Sequence, residues 1–151
     1  MRLSEHFTLA EMTVSQAAAR RGISNLPPPE IIERLRRTAG EMERVRELLG
    51  GKVISVSSGY RSPAVNALVG GARNSGHLHG FAVDFNCWSF GSPYKVCKAI
   101  EASAIKYDQL IHEFGDWIHV SFDPSMRQQE LTVDRPAGSR RSRTRPGIIA
   151  L

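Results

Sequence analysis

The residues best suited to chemistry in this chain are histidines and an aspartate in its second half. Five histidines occur among the 151 residues, and they are His6, His77, His79, His112 and His119. His77 and Asp84 lie seven residues apart, where a loop runs into an apolar segment, and His119 lies in a second apolar segment. Two imidazoles and one carboxylate form a catalytic type of zinc site, which leaves a fourth position for water. We therefore predict that His77, Asp84 and His119 bind one zinc ion.

A hairpin near residue 115 determines which side chains can join this site. Two apolar stretches, 108–114 and 117–122, flank the dipeptide Gly115-Asp116. A glycine at the first of two turn positions is typical of a type II′ hairpin. The sequence therefore predicts two antiparallel strands, with Asp116 at the turn between them. From that position Asp116 could reach a water on the metal without being a ligand.

The predicted register also assigns faces to the two residues that precede the turn. With a two-residue turn, His112 pairs with His119 on one face of the sheet, where it could orient a metal ligand. Glu113 then points to the opposite face, because side chains alternate along a strand. Glu113 nevertheless remains an alternative to Asp116 as a catalytic base.

The elements around these residues predict a fold of class α+β. Apolar residues recur at three- and four-residue steps over 29–49, which indicates an amphipathic helix. Serine-proline pairs, an N-cap followed by proline at the first helical position, begin two further helices. These helices are predicted over 63–69 and 93–103, and strands over 53–57, 81–86, 108–114 and 117–122. Helices come first and antiparallel strands later, which favours α+β over a doubly wound sheet.

The charge of the chain is concentrated at its end. The sequence has 20 basic and 15 acidic residues, and no acidic residue occurs after Asp134. The arginines beyond that point are Arg135, Arg140, Arg141, Arg143 and Arg145. Residues 1–134 are therefore electrically balanced, which argues against a nucleic-acid-binding domain. No segment reaches the ~20 apolar residues that a membrane helix requires, so no transmembrane segment is expected.

The same contrast predicts one domain over 1–134 and an arginine-rich tail over 135–151. The tail has few residues that form cores, so we expect it to contribute little to the core of the domain. Its last residues include the apolar Ile148, Ile149 and Leu151. We expect this apolar end to dock on a neighbouring subunit or on a wall or virion partner.

The motifs around the candidate zinc ligands match two signatures of a known family. The pattern Ser-x-His-x-x-Gly-x-Ala-x-Asp is met by Ser75, His77, Gly80, Ala82 and Asp84. An acidic residue three positions before a ligand histidine is met by Asp116 and His119. On these motifs the chain, over about residues 3–124, resembles the D-Ala-D-Ala carboxypeptidase family of zinc metallopeptidases. This family shares its fold with hedgehog signalling domains.

The resemblance implies an architecture and a role for each candidate residue. It implies a small antiparallel sheet that carries the zinc site, with N-terminal helices packed against it. Asp116 would be the general base, and Arg61 would hold the substrate or the developing oxyanion. Ser75 would form hydrogen bonds near the site, and His79, at a free position of the signature, would face substrate or solvent.

The resemblance also implies an activity and a setting. The expected function is zinc-dependent hydrolysis of peptidoglycan stem peptides, as a carboxypeptidase on a terminal D-Ala or as an endopeptidase within the stem or cross-link. The compact form is most like phage endolysins and tail-associated peptidases. With no signal peptide visible, we expect a protein made in the cytoplasm that acts on the cell wall after phage-type release or within a virion. The alternative is a non-catalytic virion or wall-binding module on the same fold.

Overall fold

A computed structural model describes residues 1–151 as five α-helices, one short 3₁₀ helix and six β-strands. The helices are α1 (Leu9–Met12), α2 (Gln16–Arg21), α3 (Pro29–Leu48), α4 (Pro63–Leu68) and α5 (Pro93–Glu101), and the 3₁₀ helix is Gly76–His79. The strands are β1 (Ser55–Ser58), β2 (Ala82–Asn86), β3 (Gln109–Glu113), β4 (Trp117–Ser121), β5 (Gln129–Asp134) and β6 (Arg143–Pro146). This arrangement confirms the predicted α+β class. None of the helices combines the length and apolar character needed to cross a lipid bilayer.

The six strands form a single sheet in the order β1-β2-β4-β3-β5-β6. All neighbouring strands are antiparallel except β3 and β5, which are parallel. In the centre of the sheet, Asp84 on β2 lies directly opposite His119 on β4. The two side chains project from the same face because directly paired residues of antiparallel strands share a face.

The N-terminal helices and α5 cover the opposite face and enclose the core. A capping box between Thr8 and Glu11 begins α1, because each side chain accepts a hydrogen bond from the backbone of the other residue. Buried residues of α3, among them Leu35, Ala39 and Met42, join sheet residues in one apolar cluster. The helices therefore leave the face with Asp84 and His119 free to form a site.

The β3–β4 turn differs from the predicted type II′ hairpin. Phe114 and Gly115 both have positive φ angles, of 57° and 70°, and the amide of Asp116 donates to the carbonyl of Glu113 at 2.9 Å. Positive φ at both central residues is the pattern of a type I′ turn. Because Glu113 pairs with Trp117, the loop between the strands has three residues, 114–116, instead of the predicted two.

The extra loop residue reverses the two faces predicted for β3. His112 pairs with Ile118, while Ile111 pairs with His119. The prediction that His112 faces His119 is wrong, and so is the prediction that Glu113 points away from it. Because a slip of one residue moves every side chain to the other face, Glu113 lies on the face of His119 and His112 lies on the core face.

The arginine-rich end also differs from expectation. Residues 143–146 form β6, which pairs with β5, and Ile148 is buried within the main apolar cluster. Beyond β6, the hydroxyl of Thr132 donates to the carbonyl of Gly147 and accepts from the amide of Ile149. His112 Nδ1 donates to the carbonyl of Ile149 at 2.9 Å. The expectation that residues 135–151 contribute little to the core is therefore wrong, because Ile148 is buried within the chain.

Candidate active site

His77 is held by the short 3₁₀ helix and by the backbone of Gly59. Ser75 caps this helix by accepting a hydrogen bond from the amide of His77. His77 Nδ1 donates to the carbonyl of Gly59 at 2.6 Å, which leaves Nε2 as the free ring nitrogen. Gly59 must be a glycine here, because a Cβ would overlap the carbonyl of Met12 at the end of α1. The carbonyl thus sets both the orientation and the tautomer of His77.

Three side chains meet on the open face of the sheet. Asp84 Oδ1 lies 3.2 Å from His77 Nε2 and 2.9 Å from His119 Nδ1. One ligand atom from each residue lies within 4.8 Å of the other two, and all three residues are buried. Zinc bonds of about 2.0–2.2 Å in a tetrahedral arrangement need ligand atoms roughly 3.3 Å apart. The cluster therefore fits one zinc ion, and the predicted cofactor is confirmed.

The protonation states of Asp84 and His77 suit a metal, whereas His119 must release a proton to bind one. Burial alone would raise the pKa of Asp84, but the imidazoles of His77 and His119 outweigh it and hold this pKa below its ordinary value. Burial lowers the pKa of His77, even against the attraction of Asp84. Burial also opposes the charge on His119, yet its hydrogen bond to Asp84 keeps the pKa of His119 above the ordinary value. Since an anionic carboxylate and a neutral imidazole are the forms that coordinate a metal, Asp84 and His77 are already in the form that binds.

Arg61 lies beside the cluster and is engaged by three neighbours. Its Nη2 lies 3.5 Å from Asp84 Oδ2, Nε donates to Ser58 Oγ, and Nη1 donates to Asn66 Oδ1. Its amide also donates to the carbonyl of His77 at 3.0 Å. These contacts fix the guanidinium at the wall of the site, where it balances the charge of Asp84.

The cluster opens into a cleft of about 660 Å³. Its wall includes Glu113, Phe114 and Trp117 from the β3–β4 hairpin, together with Arg61. Burial raises the pKa of Glu113, with His119 opposing the rise and Asp84 adding to it. Glu113 is therefore a carboxyl group that shares the cleft with the three ligand side chains.

Asp116 lies outside the cleft that contains the three ligand side chains. The structure places it in the β3–β4 turn, exposed to solvent, and it does not line this cleft. Its backbone carbonyl accepts a hydrogen bond from Asn86 Nδ2 at 2.8 Å. Of the two candidate bases, the resemblance implied Asp116, whereas Glu113 is the one that lines the cleft.

The remaining candidates lie around the site without joining the cluster. Ser75 lines the cleft and caps the 3₁₀ helix. His79 contacts Asn74 Oδ1 at 3.2 Å and lines an adjoining groove. His112 is buried on the core face, where its ring lies 5.9 Å from that of Tyr94. Its contact with Ile149 gives it a role in holding the C-terminus.

Two contributors to the site were missed by the sequence analysis. The carbonyl of Gly59 could have been suspected, since this glycine lies two residues before Arg61 in the stretch Ser57-Ser-Gly-Tyr-Arg. Arg135 lines the cleft, with its guanidinium carbon 5.3 Å from the centre of the Phe114 ring. It was assigned to the tail because only its charge was considered.

Comparison with known proteins agrees with this geometry. The profile of the Peptidase M15 family matches residues 5–121. The chain is also similar to the zinc D-Ala-D-Ala carboxypeptidase of Streptomyces albus G, with 41% identity over 54 residues. That alignment covers 36% of this chain and 21% of the relative, so the chain spans about a fifth of the length of that curated protein. The family match and the buried His-Asp-His cluster together show that the chain belongs to the Peptidase M15 family, as a metallopeptidase whose site fits one zinc ion.

Proposed function

We propose that this chain is a zinc-dependent peptidase that hydrolyses peptide bonds in the stem peptides of peptidoglycan. The observation that carries the proposal is the buried cluster of His77, Asp84 and His119, which opens into a cleft shared with Glu113 and Arg61. The partial similarity to a zinc D-Ala-D-Ala carboxypeptidase supports the substrate class. A terminal D-Ala and a bond within the stem or cross-link both remain within the proposal.

The ligand residues prepare the site for metal chemistry. When bound, zinc would act as a Lewis acid that acidifies water and polarises the scissile carbonyl. Asp84 and His119 present their ligand atoms from adjacent strands, and His77 presents Nε2 because Gly59 engages Nδ1. The two strands and the 3₁₀ helix thus hold the three ligands before substrate binds.

Glu113 is the general base in this proposal. It takes a proton from the attacking water as the new carbon–oxygen bond forms, and it delivers that proton to the leaving nitrogen as the carbon–nitrogen bond breaks. Burial raises the pKa of its carboxyl, which makes it a stronger base than an exposed carboxylate and a competent proton donor. Asp116 would have to leave the exposed turn to do the same work.

Arg61 has two roles in this proposal, one toward the ligand Asp84 and one toward the substrate. Its contact with Asp84 Oδ2 orients the carboxylate that would hold the metal, and Oδ1 of this carboxylate lies beside His77. A guanidinium at the cleft wall would also stabilise negative charge that develops on the carbonyl oxygen of the substrate.

We also propose a phage or prophage setting, as a lysis enzyme or a tail-associated enzyme. In either role the protein would be made in the cytoplasm of the host and would act on its cell wall after phage-type release or as part of a virion. The support is the location of the proposed substrate together with the compact, endolysin-like arrangement of motifs in the sequence.

The proposed activity predicts that hydrolysis follows zinc. Purified protein stripped with a chelator should release no peptides from peptidoglycan, and addition of zinc should restore release. Mass spectrometry of the digest would identify the bond by the mass lost or by the fragments formed. Protein that binds peptidoglycan but cleaves none of it, with zinc bound, would instead be a wall-binding module.

A further inference from the structure

The cleft continues beyond the zinc ligands to a residue outside the family match. Arg135 follows β5 and lines the same cleft as His77, Asp84 and His119. The family profile matches residues 5–121, so this arginine lies outside the matched range. Arg135 therefore places a cation at this wall of the cleft.

Arg135 differs from the other arginines around the sheet because it pairs with no carboxylate. Arg61 contacts Asp84. Arg127 pairs with Asp108, and the two arginines of β6 pair with Asp134. The guanidinium of Arg135 makes no hydrogen bond and no ion pair within the chain. It is therefore free to bind an anion from outside the protein.

The position of this guanidinium is supported by the hairpin that carries Glu113. Its central carbon lies 5.3 Å from the centre of the Phe114 ring, which itself lies 5.6 Å from the ring of Trp117. The amide of Phe114 donates to the carbonyl of Val133 at 2.7 Å, which ties the hairpin to β5. A cation above an aromatic ring is held by attraction to the ring face while its N–H groups stay available. The ring of Phe114 thus supports the guanidinium of Arg135 at the wall of the cleft.

The charges of the cleft indicate the ligand. The carboxylate of Asp84 already contacts the other two candidate zinc ligands and Arg61. Glu113 is the proposed base. Arg61 already has three partners. A carboxylate on the substrate would therefore find one unpaired cation in the cleft, which is Arg135, and a guanidinium can bind a carboxylate through two parallel hydrogen bonds.

We propose that Arg135 binds a free carboxylate of the substrate peptide and selects peptides that carry one near the scissile bond. This inference rests on the proposed peptidase function and narrows its substrate class. The carboxylate could be the C-terminus of the peptide or a side-chain carboxylate, and both present the same chemistry to the guanidinium.

The test compares Arg135→Gln with the wild type and with Arg140→Gln. Arg140 is exposed on the same segment and has no ion pair, so it matches the change in charge without lining the cleft. The substrates are stem peptides whose C-terminal carboxylate is free or amidated, and stem peptides whose side-chain carboxylate is free or amidated. We expect Arg135→Gln to lower kcat/KM by about 10-fold or more on one of the free carboxylates. On the matching amide it should have little effect, and the pair that responds identifies the carboxylate.

Equal losses on free and amidated peptides would overturn the inference, as would equal losses from Arg135→Gln and Arg140→Gln. No loss in Arg135→Gln would overturn it as well. Should the wild type cleave none of the peptides, the proposed peptidase function fails, and calorimetric binding of the same peptides to the wild type and Arg135→Gln still decides the inference. Weaker binding of a free carboxylate alone in Arg135→Gln supports it, and equal binding contradicts it.

Discussion

Replacing Glu113 with glutamine is expected to lower kcat for peptide hydrolysis by about 10²- to 10⁴-fold. Glutamine keeps the size of the side chain and its place in the cleft, but it can neither accept the proton of water nor return it to the leaving amine. Because Glu113 lies outside the cluster of ligand atoms, the zinc content should stay at the wild-type level. Steady-state kinetics on a stem peptide, with metal analysis of the same preparation, measure both effects.

Asp116→Asn is the matched control for this prediction. It makes the same chemical change on the same hairpin, at an exposed residue outside the cleft. We expect it to retain kcat within a few-fold of the wild type. A large loss in Asp116→Asn with near-normal turnover in Glu113→Gln would return the role of base to Asp116.

Deleting residues 147–151 is expected to lower the free energy of unfolding by about 3–6 kcal/mol. The deletion removes Ile148 from the core and takes away hydrogen-bond partners of two buried side chains, Thr132 and His112. A domain of this kind is stabilised by only about 5–15 kcal/mol, so the loss is a large fraction of the total. Urea unfolding of the full chain and the truncated chain measures the difference.

Two smaller changes separate the contributions of individual C-terminal residues to the free energy of unfolding. Removing only Leu151, which is largely exposed, should change the free energy of unfolding by less than about 0.5 kcal/mol. Ile148→Ala should cost about 2–4 kcal/mol by itself. Unchanged stability on deletion of 147–151 would mean that the C-terminal segment does not dock on the sheet.

The zinc ligands could be predicted because the signature combines residue type with spacing that the fold requires. His77 and Asp84 are joined by a tight 3₁₀ turn and a short strand, so seven residues bring them together with little freedom. His119 joins them because β4 pairs with β2 and places His119 directly opposite Asp84. The three metal ligands could therefore be predicted from residue types and their spacing in the sequence.

The position of Glu113 in the cleft could not be predicted in the same way, because it depends on one turn. A glycine followed by aspartate is a good hairpin signal, but the chain uses Phe114 and Gly115 as the central pair. A phenylalanine with positive φ is unfavourable by itself. Here it contacts Trp117 and Arg135, which are distant contributions that no local pattern reveals.

The C-terminal segment was misjudged for a related reason. Its composition of arginine, serine, glycine and proline resembles that of a disordered tail. The arginines of β6 instead pair with Asp134, and this pairing allows the strand to join the edge of the sheet. Charge counted along the sequence does not show which cations will meet a carboxylate after folding.

Metal content tests the account most directly, because the site, the mechanism and the family role all depend on one zinc ion at the His-Asp-His cluster. Three proteins would be compared: the wild type, His119→Ala and the control His79→Ala. Each would be dialysed against zinc and then freed of excess metal. Elemental mass spectrometry would measure the zinc that stays bound to each chain. We expect one zinc per chain in the wild type and in His79→Ala, and loss of bound zinc in His119→Ala. A wild type that retains no zinc, or a His119→Ala variant that retains a full equivalent, would contradict it.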